Sequence, residues 1–237
     1  MNSLKNRVAL VTGAAKGLGK AIALELARNG SVVIVNYLRS EKESEETLTA
    51  IRKFSKGSIK IKADVTNEKE VERMFSEAAK KFGKIDILIN NVGNFIYKPI
   101  DKVSSDEFRN IIENNLFSAF YCCKKAISTM KGYGRIINIG CTGCDRVTIR
   151  KMTSPYYIAK TGLWMLTKSL AMETTKGITV NMVSPGVLES SVVKPENSEI
   201  IKFSDITNAI MFLLSEKSEK TNGANIEVSG GSVLGAD

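Results

Sequence analysis

Two side chains four residues apart, Tyr156 and Lys160, are the pair in this sequence best suited to moving a proton. They lie in the run Ser154-Pro155-Tyr156-Tyr157-Ile158-Ala159-Lys160. Serine followed by proline reads as a helix start: the hydroxyl takes up a free backbone N–H and proline fits the first turn. In the helix that follows, the i,i+4 spacing puts phenol and ammonium on one face. A free phenol has a pKa of about 10, too high for ready proton exchange at neutral pH. A cation beside it favours the phenolate, and about 3–4 kcal/mol of differential stabilisation lowers the pKa by about two to three units. One lysine and a cationic cofactor ring in a dry cleft would supply that, so the expectation is a lowered Tyr156 pKa and a role in acid–base chemistry. Tyr157 is out of step with Lys160 and reads as packing.

The pair needs a scaffold, and composition narrows the choices. The 237 residues carry 34 Lys and Arg against 25 Asp and Glu, a net charge of +9, and no histidine. Without histidine, His-dependent triads and most catalytic zinc sites are excluded. The lysines are scattered, with pairs such as Lys80-Lys81 and Lys124-Lys125 the longest clusters, which argues against a nucleic-acid surface. An anionic cofactor or an acidic carrier would still be attracted. The four cysteines, Cys122-Cys123 and Cys141-x-x-Cys144, are too few and too clustered for a secreted disulfide framework. Zinc would need further ligands, so no metal is expected. Cys141 and Cys144 read as ordinary thiols, with a regulatory disulfide as the alternative. The N-terminus has no apolar stretch of signal-peptide length, and apolar runs such as Ala209–Leu214 are too short for a bilayer. A soluble cytoplasmic protein is expected.

Apolar runs at Val8–Val11, Val32–Tyr37, Ile59–Ala63, Ile85–Asn90, Arg135–Gly140, Thr179–Val183 and Asn225–Val228 read as seven strands. Helical patterns fall between them: Leu18–Asn29, Glu41–Phe54, Glu68–Phe82, one long helix Ser105–Met130, the Tyr156 helix, and Asp205–Leu214. Ser104-x-x-Glu107 is a capping box for the long helix. Strict alternation predicts an α/β fold: a doubly wound parallel sheet with helices on both faces, one Rossmann-type domain over residues 1–237. Ligands in such sheets bind beyond the carboxyl ends of the strands. Gly13, Asn90, Cys141 and Pro185 all fall there.

Thr12-Gly13-Ala14-Ala15-Lys16-Gly17-Leu18-Gly19 joins the first strand to the first helix. Glycines there let the backbone approach a pyrophosphate held at the helix N-terminus. No Walker lysine pattern is present. The second strand ends Asn36-Tyr37-Leu38-Arg39, with no acid before Glu41 to take a ribose 2′-hydroxyl. Lys16 and Arg39 suit a 2′-phosphate, so NADP(H) is the expected cofactor. Within the long helix, Phe108, Ile111, Ile112, Leu116, Ala119, Phe120 and Cys123 form an apolar stripe, and Asn115 falls inside it. A buried amide needs partners.

Thr12–Gly19, Asp64-Val65, Asn90-Asn91-Val92-Gly93, Asn115, Tyr156/Lys160, Pro185-Gly186 and Gly230-Gly231 together resemble a single-domain short-chain dehydrogenase/reductase. Within that family the chain is most similar to beta-ketoacyl-acyl-carrier-protein reductases. The resemblance implies a cofactor site from Gly13, Ala15, Lys16, Gly17, Leu18, Gly19, Tyr37 and Arg39, with Asp64 and Val65 lining the adenine. Asn91 and Gly93 would lie along the cofactor, and Pro185, Gly186 and Ser190 would flank the nicotinamide. It implies that Lys160 bonds the nicotinamide ribose, that Tyr156 protonates a carbonyl as hydride arrives, and that Asn115 holds a relay water. It also implies a dimer or tetramer built on the Ser105–Met130 and Tyr156 helices.

The family's catalytic serine is missing just past the fifth strand, where this chain has Cys141-Thr142-Gly143-Cys144. Strand alignment puts Cys141 in its place, whereas Thr142 would supply a hydroxyl if the loop shifts by one. The interval Ser191–Ser204 is short for a lid and predicts an open site. Lys131 and Lys176 lie near helix ends where such reductases meet an acidic carrier. The implied activity is NADPH-dependent reduction of a 3-oxoacyl thioester on acyl-carrier protein. The alternatives are another ketone, aldehyde or alcohol, or an NADP-binding scaffold with little catalysis.

Overall fold

The computed structural model describes residues 4–130, 132–146, 148–174, 177–194 and 199–231. Lys131 and Lys176 lie outside these residues, as does the 195–198 stretch of the short interval after Ser190.

Seven parallel strands form one sheet: β1 (Val8–Val11), β2 (Val32–Tyr37), β3 (Ile59–Lys62), β4 (Ile87–Asn90), β5 (Gly134–Ile139), β6 (Ile178–Pro185) and, last in the chain, β9 (Asn225–Val228). Their order is β3-β2-β1-β4-β5-β6-β9. The order reverses between β1 and β4, opening a crevice at their carboxyl ends. A small pair not anticipated from sequence, β7 (Val187–Leu188) and β8 (Ile200–Ile201), brackets the segment after β6.

The strands read as unbroken apolar runs because helices cover both faces. Ala9, Val11, Val33, Val35, Ile87, Ile89, Ile137 and Ile139 face α1 (Gly17–Arg28) and α7 (Phe203–Leu214), meeting Ile22, Leu26, Ile206, Ile210 and Leu213. Leu10, Ile34, Leu88 and Ile136 face the other way, onto Val71, Met74 and Phe75 of α3 (Glu68–Phe82) and Cys122, Cys123 and Ala126. Each large aliphatic chain so buried stabilises the fold by about 1.5–3 kcal/mol. The helix α2 (Glu41–Arg52) is mostly charged and buries only Ser44, Thr47, Leu48 and Ile51.

The predicted long helix is interrupted. It forms α4 (Ser105–Ile112) and α5 (Ser118–Thr129), joined by a π-turn over Glu113–Phe117. The Ser104–Glu107 capping box is present. The Asn115 amide donates to the Ile111 carbonyl at 2.9 Å. The Ser118 N–H bonds Glu113 O, five residues back. A side chain competing for a helix carbonyl is a known cause of such widening. The helix α6 (Ser154–Glu173) carries Tyr156 and Lys160 and has Pro155 in its first turn.

A chain of buried amides ties the strands to α6. Asn90 Nδ2 donates to Asn138 Oδ1 at 2.8 Å, and Asn138 Nδ2 to Thr167 Oγ1 at 2.9 Å. Thr167 in turn donates to Leu163 O at 2.8 Å. Buried hydrogen bonds of this kind fix one arrangement of the elements they join, although Asn90 Oδ1 itself has no partner among the described residues.

Candidate active site

At the β1–α1 turn, Gly13 and Gly17 have φ of 60° and 57°, a region that favours glycine. Thr12 Oγ1 accepts the Asn91 N–H at 2.9 Å, and Asn91 Nδ2 donates to Thr12 O at 3.0 Å. Asn36 Oδ1 accepts the Gly13 N–H at 3.2 Å, while Asn36 Nδ2 donates to Ala63 O at 3.0 Å. The ends of β1, β2, β3 and β4 are thereby sewn together. No side chain caps α1, so its leading N–H groups are left for an anion. A Cβ on Gly19 would stand 2.5 Å from Gly13 O, 2.7 Å from Asn91 Nδ2 and 3.0 Å from Ala14 Cα. Gly19→Ala is therefore expected to push the turn apart, destabilising the fold by about 1–3 kcal/mol. It should also weaken NADPH binding about tenfold or more, one charge-assisted bond's worth. Thermal unfolding and NADPH fluorescence titration check this.

Beyond β2, Glu41 pairs with Lys60 and hydrogen-bonds Tyr37, which hold its carboxyl below the usual range. Lys16 and Arg39 are exposed on the same edge. Asp64 Oδ1 accepts the Thr66 N–H at 2.9 Å and its hydroxyl at 2.7 Å, closing the turn after β3. Val65 is buried beside it. The residues around the dinucleotide edge thus offer free helix N–H groups, two cations and a glycine cradle. These suit a phosphorylated dinucleotide.

A cleft of about 640 Å³ continues from there. Its walls include Leu18, Asn91, Gly93, Asn115, Cys141, Tyr156, Lys160, Pro185, Gly186 and Ser190, which the sequence had scattered along the chain. Asn115 is 1% exposed. Its Nδ2 donates to Asn94 O at 2.9 Å and Asn94 Oδ1 at 3.0 Å, as well as to Ile111. Its Oδ1 is buried without a partner among the described residues. The place where a Gly93 Cβ would stand is 2.4 Å from that oxygen and 3.5 Å from Lys160 Nζ. Glycine at 93 is what lets the two polar atoms converge.

Lys160 is 4% exposed, and its Nζ donates to Ile139 O at 2.7 Å. Burial pushes its pKa down. The Nζ lies 5.7 Å from the centre of the Tyr156 ring. Phe95 meets that ring edge-on at 5.1 Å. Burial, and then the neighbouring Cys141, hold the Tyr156 phenol well above its ordinary range. The expected lowering called for Lys160 together with a cationic cofactor ring; among the protein's own groups, desolvation of the phenolate prevails.

Thr142 is corrected too. It is fully buried, its hydroxyl has no partner among the described residues, and it is not part of the cleft wall they form. Its N–H donates to Pro185 O at 3.1 Å, and Tyr157 donates to its carbonyl at 3.5 Å, which turns the residue inward. Cys141 is the residue that reaches the cleft. Cys144 donates its N–H to Cys141 O at 3.2 Å, and the neighbouring Cys141 lowers the Cys144 thiol pKa to about 7. Glu227 braces this loop: its Oε1 accepts the Gly143 N–H at 2.6 Å, and Arg146 Nη2 donates to Oε1 at 3.0 Å and Oε2 at 2.8 Å.

A family model described as enoyl-(acyl carrier protein) reductase matches residues 13–232. The chain belongs to the short-chain dehydrogenase/reductase family. It is an oxidoreductase of the CH–OH/C=O class using NADP(H). This short-chain dehydrogenase/reductase is 33% identical to the hydroxynaphthalene reductase-like protein Arp2 of Metarhizium guizhouense, over 98% of the chain and 96% of that protein. It is 34% identical to the 3-oxoacyl-[acyl-carrier-protein] reductase FabG of Staphylococcus aureus, over 94% and 96%. The crystal structure of angucycline C-6 ketoreductase LanV with bound NADP superposes with a TM-score of 0.90 at 29% identity, covering 98% of both chains.

Sequence reasoning missed several walls of the reductase's cleft: Asn94, Phe95, Tyr97, Arg150 and Thr153. Tyr157 packs as expected but also reaches the cleft. None of these sits in a recognisable spacing. Only the aromatic-rich Phe95-Ile96-Tyr97, just past the β4 motif, offered a signal.

Proposed function

We propose that the enzyme reduces a ketone carried on a flat, aromatic or conjugated small molecule. The observation that carries this is the wall opposite the glycine cradle. Phe95 and Tyr97, both nearly half exposed, stand with Tyr156 and Tyr157 around the catalytic end of the cleft. Offset and edge contacts between such rings and a planar substrate contribute about 0.5–1.5 kcal/mol each. The similarity to a hydroxynaphthalene reductase-like protein and an angucycline ketoreductase is consistent with that preference.

In this reading Gly13, Ala15, Gly17, Leu18 and Gly19 would hold the pyrophosphate, and Lys16 and Arg39 the 2′-phosphate. Tyr37, Asp64 and Val65 would surround the adenine. Asn91 and Gly93 would lie along the dinucleotide, with Pro185, Gly186 and Ser190 at the nicotinamide and Lys160 on its ribose. When bound, NADPH supplies the hydride. Tyr156 gives its hydroxyl proton to the carbonyl oxygen, yielding the alcohol. Cys141 orients that oxygen. The unpaired Asn115 Oδ1 positions a water from which Lys160 helps return a proton to Tyr156. The exposed Phe117, Phe120, Met165 and Met172 on the π-turn, α5 and α6 would be covered in a homodimer or homotetramer.

A second reading, reduction of a 3-oxoacyl thioester presented by acyl-carrier protein, draws on the 34% identical relative and on the +9 charge. The deciding assay is NADPH oxidation with 2-tetralone beside an acetoacetyl thioester and simple sugars. Faster turnover of the thioester would replace the first reading with the second. Removing both 2′-phosphate cations, Lys16→Ala with Arg39→Ala, is expected to raise KM for NADPH at least about tenfold and leave KM for NADH nearly unchanged. Equal changes for both cofactors would remove the 2′-phosphate role.

A further inference from the structure

We propose that Arg150 binds an anionic group, a carboxylate or phosphate, on the substrate, at the end of the molecule away from the reacting carbonyl. The proposal rests on the ketone-reductase reading and narrows its substrate class.

Among the described residues, two cations and no carboxylate line the cleft. Lys160 is one, buried and bonded to Ile139 O. Arg150 is the other, half-buried, and no ion pair ties it to a described residue. Arg146, four residues earlier, is by contrast locked to Glu227. A guanidinium at the wall of an apolar, aromatic cleft presents a fork of donors suited to carboxylate or phosphate oxygens.

The turn that carries Arg150 is tightly held. Met152 has a φ of 66°, a strained value for a side-chain-bearing residue. Its carbonyl accepts the Lys98 N–H at 2.7 Å, joining this turn to the Phe95–Tyr97 wall. Thr153 Oγ1 donates to Arg150 O at 2.7 Å. The Tyr156 N–H then bonds Thr153 O at 3.0 Å, so Arg150 is set one short turn ahead of the catalytic tyrosine. Arg150 and Tyr157 share the cleft wall; burial raises the Tyr157 phenol, and the Arg150 charge opposes that rise.

The test uses the enzyme with NADP+ bound and two probes, benzoate and methyl benzoate, titrated by calorimetry. Wild type is expected to bind benzoate at least about tenfold more tightly than the ester, since one charge-assisted pair is worth about that much. Arg150→Met should abolish the preference and keep ester binding, and Arg150→Lys should restore part of it. Equal binding of the two probes by wild type, or a preference surviving in Arg150→Met, would overturn the proposal. Turnover is read separately with 4-acetylbenzoate and its methyl ester. Benzoate selectivity that depends on Arg150, without NADPH oxidation on any ketone, would sink the reductase reading and leave the anion site standing.

Discussion

Tyr156→Phe is expected to cut kcat for ketone reduction by about 10²–10⁴-fold, the usual weight of a positioned proton donor. NADPH affinity should change less than about twofold, because the lost hydroxyl is asked to serve the carbonyl and not the dinucleotide. The elevated phenol pKa sets the pH signature. A general acid works while protonated, so Tyr156 places no upper limit on reduction anywhere near neutrality. The reverse reaction needs the phenolate, so alcohol oxidation should climb steadily as pH is raised toward the phenol's pKa. Steady-state kinetics in both directions, with stopped-flow NADPH binding, check both points. A phenylalanine variant with full reductase activity would remove Tyr156 from the chemistry.

The second large effect runs the other way. Cys141→Ser is expected to raise kcat/KM by about ten- to a hundredfold, part of the 10²–10³ that one donor to a developing oxyanion commonly supplies. A thiol is a weak donor to begin with. Here the neighbouring Cys144, ahead of burial, holds the Cys141 thiol well above the normal thiol range, so it keeps its hydrogen. Cys144 turns its own S–H to Met182 Sδ at 3.8 Å. Cys141→Ala should cost little. A serine variant no faster than wild type at any pH would show that this side chain does not touch the carbonyl.

The seven strands were legible because a sheet covered on both faces writes each strand as a short apolar block between turn residues. The Tyr156–Lys160 pair and Asn115 were legible because each is a polar residue at a fixed step within an apolar helix. The interruption at Glu113–Phe117 was not, since it arises from one amide competing for the Ile111 carbonyl and leaves the apolar stripe intact. The raised Tyr156 pKa was hidden for a related reason. Spacing shows that Lys160 is near, whereas the burial that raises the phenol, and Cys141 beside it, come from tertiary packing. Thr142 against Cys141 turned on whether one residue faces in or out, which the Pro185 and Tyr157 contacts decide. Arg150 had no spacing to betray it and became visible only when Met152 and Lys98 brought its turn to the aromatic wall.

The widened turn at Asn115 has a mechanical consequence. Each residue advances a regular helix by about 100°, so one surplus residue in a turn re-phases everything after it. Asn114 and Asn115 look toward different neighbours than an even coil would give them, and Phe117 and Phe120 inherit the same offset on the outside. The orientation of the buried amide and the azimuth of the outer aromatic ridge are thus geared to a single register. A lineage that gained or lost one residue in this stretch would rotate both at once, so the buried amide and the outer aromatic ridge can drift only in step.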